Sequence, residues 1–433
     1  MAHKVMEARK AARRTPAQSG NIVIVEPLAR STGHQSWFAG NLAKAIVTAG
    51  AQPMLITFDG MHDNADLELR DDGCDARRIL PLAPGWLRWL LGKLTGIQSG
   101  MTAAPSTVRW PFQMYLYNQL ATVLSVLYAC RAIQPGQPAV LHLLCPPSWL
   151  TLRCFLLAGR AGTRIVITTF GPPGQYRGNS ALLRHLCLNG TAVLVVQTEA
   201  LASEWIGELG ANAVRTIALS SGDPVRPGDL QESRRLLNLP LDKPIVAVIG
   251  CIAPKKGYIE LFRAIREMPK DFRVLLAGDT GPWVSPDPEE IARETGWLDH
   301  TIVRREFLPE RLMPSLFAAV NAVALLYRDS NGSSGILSLC QQYGVPVIAT
   351  RFGELGAKVR SERLGLTVDP NDPEEVAEAL SRILTDGGHG DARAQDDGET
   401  GTPFSWADAA AAHLHLYAAL QKSTLNESRG SWR

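Results

Sequence analysis

The sequence predicts an α/β protein of two Rossmann-like domains, each built on a parallel sheet. Three observations carry this expectation. The chain has 433 residues, too many for one ordinary domain. Residues 322–350 read as strand, glycine-rich turn, helix and strand, and parallel strands need such a crossover, which is nearly always right-handed. Residues 21–58 repeat that order near the start of the chain.

Composition narrows the class. Hydrophobic residues make up 45% and charged residues 20% of the chain, enough for sizeable cores. A net charge of +2 gives no global case for a nucleic-acid partner. Seven cysteines are scattered without CxxC or Cys/His ligand spacing, which argues against a disulfide framework or zinc and fits a reducing cytosol. Residues 1–18 are basic and polar, with no apolar core of a signal peptide, and read as a mobile tail. No run is long enough to span a bilayer.

The segment 322–350 is the most informative. Residues 322–327 form a short apolar run suited to a strand buried on both faces. Ser333 or Ser334 can cap a helix beginning near Gly335, with Ile336, Leu337, Leu339, Cys340 and Tyr343 on its apolar side and Gly344 at its exit. Residues 345–350 return as a strand. The helix then starts at the carboxyl ends of the strands, where its free N–H groups and dipole favour an anion. The small residues 330–335 suit a diphosphate, or they form a turn that needs only glycine and a cap.

Before this segment, residues 21–26 (Ile-Val-Ile-Val within them) are a strand, 27–35 a loop carrying Ser31-Thr32-Gly33-His34, 36–49 a helix and 53–58 a strand. His34 can meet a ligand phosphate or an acceptor, or be a solvent-exposed loop histidine. Residues 80–98 mix tryptophan, leucine and cations without an acid. They read as a membrane-surface helix or as a core helix with snorkelling cations. Residues 108–133 are a buried helix. His142, in a strand over 139–144, is expected to be packed rather than catalytic. Residues 150–158 and 198–209 read as helices, 164–170 and 192–197 as strands. Residues 220–229 are turn-rich and suit an interdomain linker. A strand over 244–249 leads into Gly250-Cys251-Ile252-Ala253-Pro254-Lys255-Lys256-Gly257 and a helix through Leu261, Phe262 and Ile265. A lysine at that strand–helix turn offers a point charge to phosphate, or it belongs to a solvated pair. Strands over 272–278 and 301–307 and a helix over 312–319 follow. Arg328 faces a cleft or is a surface cation. Residues 385–402 are polar and flexible, and 404–421 form a last amphipathic helix.

Several of these stretches together resemble glycosyltransferase family 4: Leu-Leu-Tyr-Arg-Asp, Ser-Ser-Gly-Ile-Leu and Tyr-Gly-Val-Pro-Val-Ile-Ala-Thr in residues 325–350, and the Lys256-Gly257 turn. The resemblance is strong over 244–370 and weak in the first domain. It implies the GT-B fold: two Rossmann-like domains facing across a cleft, with a C-terminal helix crossing back to the first domain. It also implies transfer of a sugar from a nucleotide-sugar, with retention of configuration, to a glycan or lipid-linked acceptor. The setting implied is surface polysaccharide or glycolipid assembly in the cytoplasm or at the inner membrane face, with peripheral contact through residues 80–98. No cofactor beyond the donor and no dedicated metal is implied, and no convincing Asp-x-Asp site stands in the sequence. The expected division is a tail at 1–20, a first domain at 21–215, a donor domain at 216–385, a loop at 386–402 and the crossover helix at 403–425. The donor-site candidates are Gly33, His34, Lys256, Arg328, Asn331, Ser333, Ser334 and Gly335, and no catalytic residue is assigned. The sequence departs from the family where many members have arginine (Cys251 here) and at two glutamate positions (Asn331 and Leu339). The strand ending Thr168-Thr169-Phe170-Gly171 lacks a histidine often found nearby. A partner subunit without transfer activity and a sugar-nucleotide epimerase remain the alternatives.

Overall fold

The computed structural model describes residues 21–27, 33–58, 69–82, 110–134, 136–144, 148–158, 162–176, 180–220, 222, 225, 228–278, 284–306, 310–328, 334–385 and 404–430. The tail, the loop 386–402 and most of the stretch 80–98 lie outside the described residues. The chain divides into two units: one extends to Ala218 and resumes at Trp406, and the other is Leu219–Ser405.

Among its described residues the first unit holds seven strands: β1 (Asn21–Glu26), β2 (Met54–Thr57), β3 (Asp75–Arg78), β4 (Ala139–Leu143), β5 (Thr163–Thr168), β6 (Ala192–Val196) and β7 (Val214–Thr216). They pair in parallel in the order β3-β2-β1-β4-β5-β6-β7. The central strands are buried along their whole length because both their faces are covered. The edge strands β3 and β7 are short and carry Asp75, Arg77, Arg78 and Arg215, so no apolar pattern announces them.

Helix α1 (Gly33–Thr48) starts earlier than its periodicity suggests. Gly33 and His34 therefore lie in its first turn, not in a loop. Helices α2 (Trp110–Ala132), α3 (Trp149–Ala158), α4 (Ser180–Leu188) and α5 (Glu199–Leu209) share one core with alternate strand residues such as Val23, Leu141, Ile165 and Leu194. The opposite face of this sheet is covered by α1 and the C-terminal helix (Trp406–Gly430). Trp406 meets the Trp37 ring edge-on at 5.1 Å and lies 5.7 Å from Phe38. The expected return of the last helix to the first domain is thus present.

His142 explains how that helix is held. Its ring is fully buried, with Nδ1 2.6 Å from the Tyr417 hydroxyl and Nε2 2.8 Å from Thr168 Oγ1. His413 stacks on it at 5.4 Å and donates from Nδ1 to the Ala409 carbonyl at 2.8 Å. Burial holds both rings neutral: His142 is pushed well below the usual histidine range, and His413 down to about 4. The native state therefore resists protons that the unfolded chain binds from pH 6.5 downward. Stability is full above pH 6.5 and falls as pH drops toward 4. At pH 5, above the main carboxylate range, His413 alone accounts for a loss of about 2 kcal/mol. Thermal melts between pH 7.5 and 5 should show that loss, and His413→Phe should remove its share while the share of His142 remains.

The second unit holds β8 (Ile245–Ile249), β9 (Arg273–Ala277), β10 (Thr301–Arg304), β11 (Ala322–Leu325), β12 (Val347–Thr350) and β13 (Gly365–Val368). All pair in parallel, in the order β10-β9-β8-β11-β12-β13. Its helices are α6 (Leu230–Leu236), α7 (Tyr258–Ile265), α8 (Pro288–Glu294), α9 (Met313–Ala319), α10 (Gly335–Tyr343), α11 (Gly353–Ser361) and α12 (Pro373–Thr385). Tyr258, Leu261, Phe262 and Ile265 of α7 are fully buried against the sheet and α12. The described part of 220–229 is fastened to this unit: Ser220 donates its hydroxyl to the Phe404 carbonyl, and the Val225 N–H donates to the Gln342 carbonyl, both at 2.9 Å.

Candidate functional site

In the second sheet the order reverses between β8 and β11, which are neighbours. From β8 the chain builds outward through β9 to β10, and from β11 through β12 to β13. Such a reversal leaves a crevice at the carboxyl ends, because the helices after the two strands diverge to opposite faces.

The loop after β8 is shaped by glycines and one anchor. Gly250 leaves the strand at φ +105, and Gly278, at the end of β9, sits so close that a Cβ there would collide with the Gly250 carbonyl. Ile252 is fully buried and pins the loop. Pro254–Lys256 forms a short 3-10 turn, and Gly257 then takes a left-handed φ of +79 and caps α7. Its Cα lies against the Leu326 carbonyl, so that a Cβ would overlap it. That close approach brings the Lys256 turn onto the end of β11.

Lys256 reaches the residue after Leu326. Its ammonium donates to the Tyr327 hydroxyl at 3.0 Å and lies 4.2 Å from the centre of the ring. The Tyr327 hydroxyl is in turn 3.4 Å from Ser334 Oγ. Ser334 is the N-cap of α10, and its Oγ accepts from the Leu337 N–H at 3.3 Å. Because lysine can only donate, the tyrosine accepts from Lys256 and has its own hydrogen for Ser334. Either hydroxyl can donate across that contact; when Tyr327 donates, Ser334 Oγ accepts twice and its own hydrogen is left for another acceptor. The remaining ammonium hydrogens, the Ser334 hydroxyl and the first N–H groups of α10 together suit an anion.

Arg328 stands differently. Its guanidinium binds Glu260 Oε1 through Nε at 2.6 Å and Nη2 at 2.5 Å, and its N–H donates to the Lys255 carbonyl at 3.2 Å. Glu260, on α7, is only 4% exposed, and its Oε2 has no hydrogen-bond partner. Arg328 is exposed, as the surface-cation reading expects, and in addition it is tied to a buried carboxylate. Loss of the cation would leave that charge uncompensated.

Of the candidates, the structure brings Lys256, Ser334 and Gly335 to one place, with Arg328 alongside through Lys255. Gly33 and His34 belong to the first unit, at the carboxyl end of β1. There the order of the first sheet also reverses, between β1 and β4. Asn331 and Ser333 lie outside the described residues. Leu339 is buried on α10. Two residues were missed by sequence reasoning. Tyr327 looked like the last apolar residue of a strand. Glu260 is a carboxylate on the otherwise apolar side of α7, and that break in the pattern was its only signal. Among the described residues no group of three or more His, Cys, Asp or Glu is placed to hold a metal.

Residues 243–386 match the family described as Glycosyl transferases group 1. The chain is 31% identical over 253 residues to the D-inositol 3-phosphate glycosyltransferase of Corynebacterium glutamicum, covering 54% of this chain and 60% of that protein. It is 32% identical over 207 residues to the protein of the same name from Acidothermus cellulolyticus, covering 45% and 46%. The chain thus spans about half of the curated relatives it matches. Among solved structures, sucrose-phosphate synthase from Thermosynechococcus elongatus superposes with a TM-score of 0.60 at 18% identity, over 95% of this chain and 99% of that one. Anabaena HepE in complex with UDP and glucose gives 0.57 at 15% identity, over 95% and 100%. The two parallel-sheet units, the helix that returns to the first of them and these likenesses establish the GT-B fold, with a region matching group 1 glycosyltransferases over residues 243–386.

Proposed function

We propose that this chain is a metal-independent, retaining glycosyltransferase of family 4 type that moves a sugar from a nucleotide-sugar to a glycan or lipid-linked acceptor. The observation that carries the reading is the Lys256–Tyr327–Ser334 chain at the β8/β11 reversal, inside the region that matches group 1 glycosyltransferases. Negative charge grows on the departing nucleoside diphosphate as the glycosidic bond breaks. Donors already aimed at that position lower the barrier without reorganising. Lys256 supplies the point charge; Ser334, Gly335 and the neighbouring N–H groups of α10 supply hydrogen bonds. The UDP bound in HepE supports a nucleotide donor here.

Arg328, Ser333 and Asn331 complete the donor side in this reading, and Gly33 and His34 serve the donor phosphate or the acceptor from the first unit. The finer setting we propose is surface polysaccharide or glycolipid assembly in the cytoplasm, with residues 80–98 touching the inner membrane face. No helix among the described residues is long and apolar enough to cross a membrane. One observation favours a second reading, a binding subunit without transfer: Leu339, at a glutamate position of the family, is buried and cannot accept a ribose hydroxyl.

The test is release of nucleoside diphosphate from a panel of UDP-, GDP- and ADP-sugars, with and without a chelator. One donor should be consumed, with a glycosylated product and no effect of the chelator. Binding without release supports the second reading, and conversion of one nucleotide-sugar into another supports the epimerase.

A further inference from the structure

Helix α7 is buried along nearly its whole length. Tyr258, Ile259, Leu261, Phe262, Ala264 and Ile265 all pack in the core of the second unit. Glu260 stands among them at 4% exposure. Its Oε1 accepts from Arg328 Nε at 2.6 Å and from Nη2 at 2.5 Å, while Oε2 is buried without a hydrogen-bond partner. A carboxylate in that setting is costly. An apolar side chain of similar volume would serve the core at least as well, because desolvating a charged pair commonly outweighs its attraction. The first turn of a helix favours an acid, but an exposed acid satisfies that preference without the cost of burial. Stability therefore gives no reason for Glu260.

What Glu260 does is fix a cation. The Arg328 side chain is 45% exposed, and an untethered arginine at the surface samples many rotamers. Here two of its N–H groups converge on one oxygen, and its main-chain N–H is held by the Lys255 carbonyl. Glu260 thus engages one edge of the guanidinium, and the other N–H groups remain for a ligand.

Lys256 and Arg328 mark two separate points at the β8/β11 reversal. Lys256 is linked through Tyr327 to the N-cap of α10, and Arg328 to the first turn of α7. The two helices diverge from the reversal, so one anion meets one of these points and two linked anions meet both. We propose that Glu260 is a positioning residue: it holds Arg328 to take one phosphate of a diphosphate, while Lys256, Ser334 and the α10 N–H groups take the other. This rests on the donor reading above and adds to it the pair of residues that selects a diphosphate over a monophosphate.

Titration calorimetry of the full chain with UDP, GDP and ADP, and with UMP, GMP and AMP, tests this alongside thermal melting. Glu260→Leu should melt no lower than the unaltered chain. It should bind the diphosphate about tenfold more weakly and the matching monophosphate as before. A merely structural role would move the melting temperature, or both nucleotides together. Arg328→Ala should melt lower, since it leaves the buried carboxylate unpaired. Glu260→Leu/Arg328→Ala should recover that melting temperature and bind the diphosphate within about twofold of Arg328→Ala. Arg328→Lys should keep the melting temperature but not the affinity, because an ammonium lacks the planar fork. Full diphosphate affinity in folded Glu260→Leu, an equal loss of monophosphate and diphosphate, or a double variant weaker than Arg328→Ala by the whole Glu260→Leu factor would each overturn the inference and leave the donor reading standing. No heat with any nucleotide from the folded, unaltered chain would overturn both.

Discussion

Gly257→Ala should destabilise the second unit by at least about 3 kcal/mol and remove donor binding with it. Two independent costs act at this position. The left-handed φ of +79 disfavours any side chain, at roughly 1–2 kcal/mol. The added Cβ would also overlap the Leu326 carbonyl, a backbone atom at the end of β11 that cannot rotate away. Relief requires the 254–257 turn to move off β11, which breaks the approach that brings Lys256 to Tyr327. Urea unfolding followed by circular dichroism should show the loss. A stable Gly257→Ala chain that binds the donor normally would mean that this contact does not position the site.

Lys256→Ala should leave the fold intact and lower kcat/KM by about thirtyfold, corresponding to about 2 kcal/mol of transition-state binding. Lys256 is only partly buried and its ammonium has no carboxylate partner among the described residues, so little structure depends on its charge. The control is Tyr327→Phe, which keeps the ring under the ammonium but removes the hydroxyl between Lys256 and Ser334. Its loss should be smaller, within about tenfold, because the charge remains while one neutral hydrogen bond goes. Steady-state kinetics with the best donor measures both. Unchanged kinetics in folded Lys256→Ala would take the lysine out of the site.

The site was legible in the sequence where local chemistry dictated local structure. Ser334 followed by a helical apolar pattern and Gly344 announced α10, and the cap hydrogen bond is present. Lys256-Gly257 after an apolar run announced a strand–helix turn, and Gly257 has the left-handed backbone that such a turn needs. What could not be read depended on which strands lie side by side. Tyr327 joins Lys256 to Ser334 only because β11 pairs with β8, a contact between residues far apart in sequence. The tie from Arg328 to Glu260 has the same origin. His142 was expected to be packed, but its partners come from β5 and the last helix, and no pattern around residue 142 names them. The edge strands β3 and β7 escaped notice because half-solvated strands need no apolar run.

In the proposed function, the α10 N-terminus with Lys256 and Ser334 forms a nucleoside diphosphate site. Titration calorimetry with UDP, GDP and ADP tests it most directly, on the unaltered chain and on Ser334→Leu. Leucine at 334 removes the cap oxygen and fills the space where a phosphate would approach, at a capping cost of about 1 kcal/mol that leaves the unit folded. Saturable heat with at least one nucleotide, weakened at least about tenfold by Ser334→Leu, is the predicted result. Absence of heat with all three nucleotides from a folded chain, or equal affinity in the Ser334→Leu variant, would contradict it.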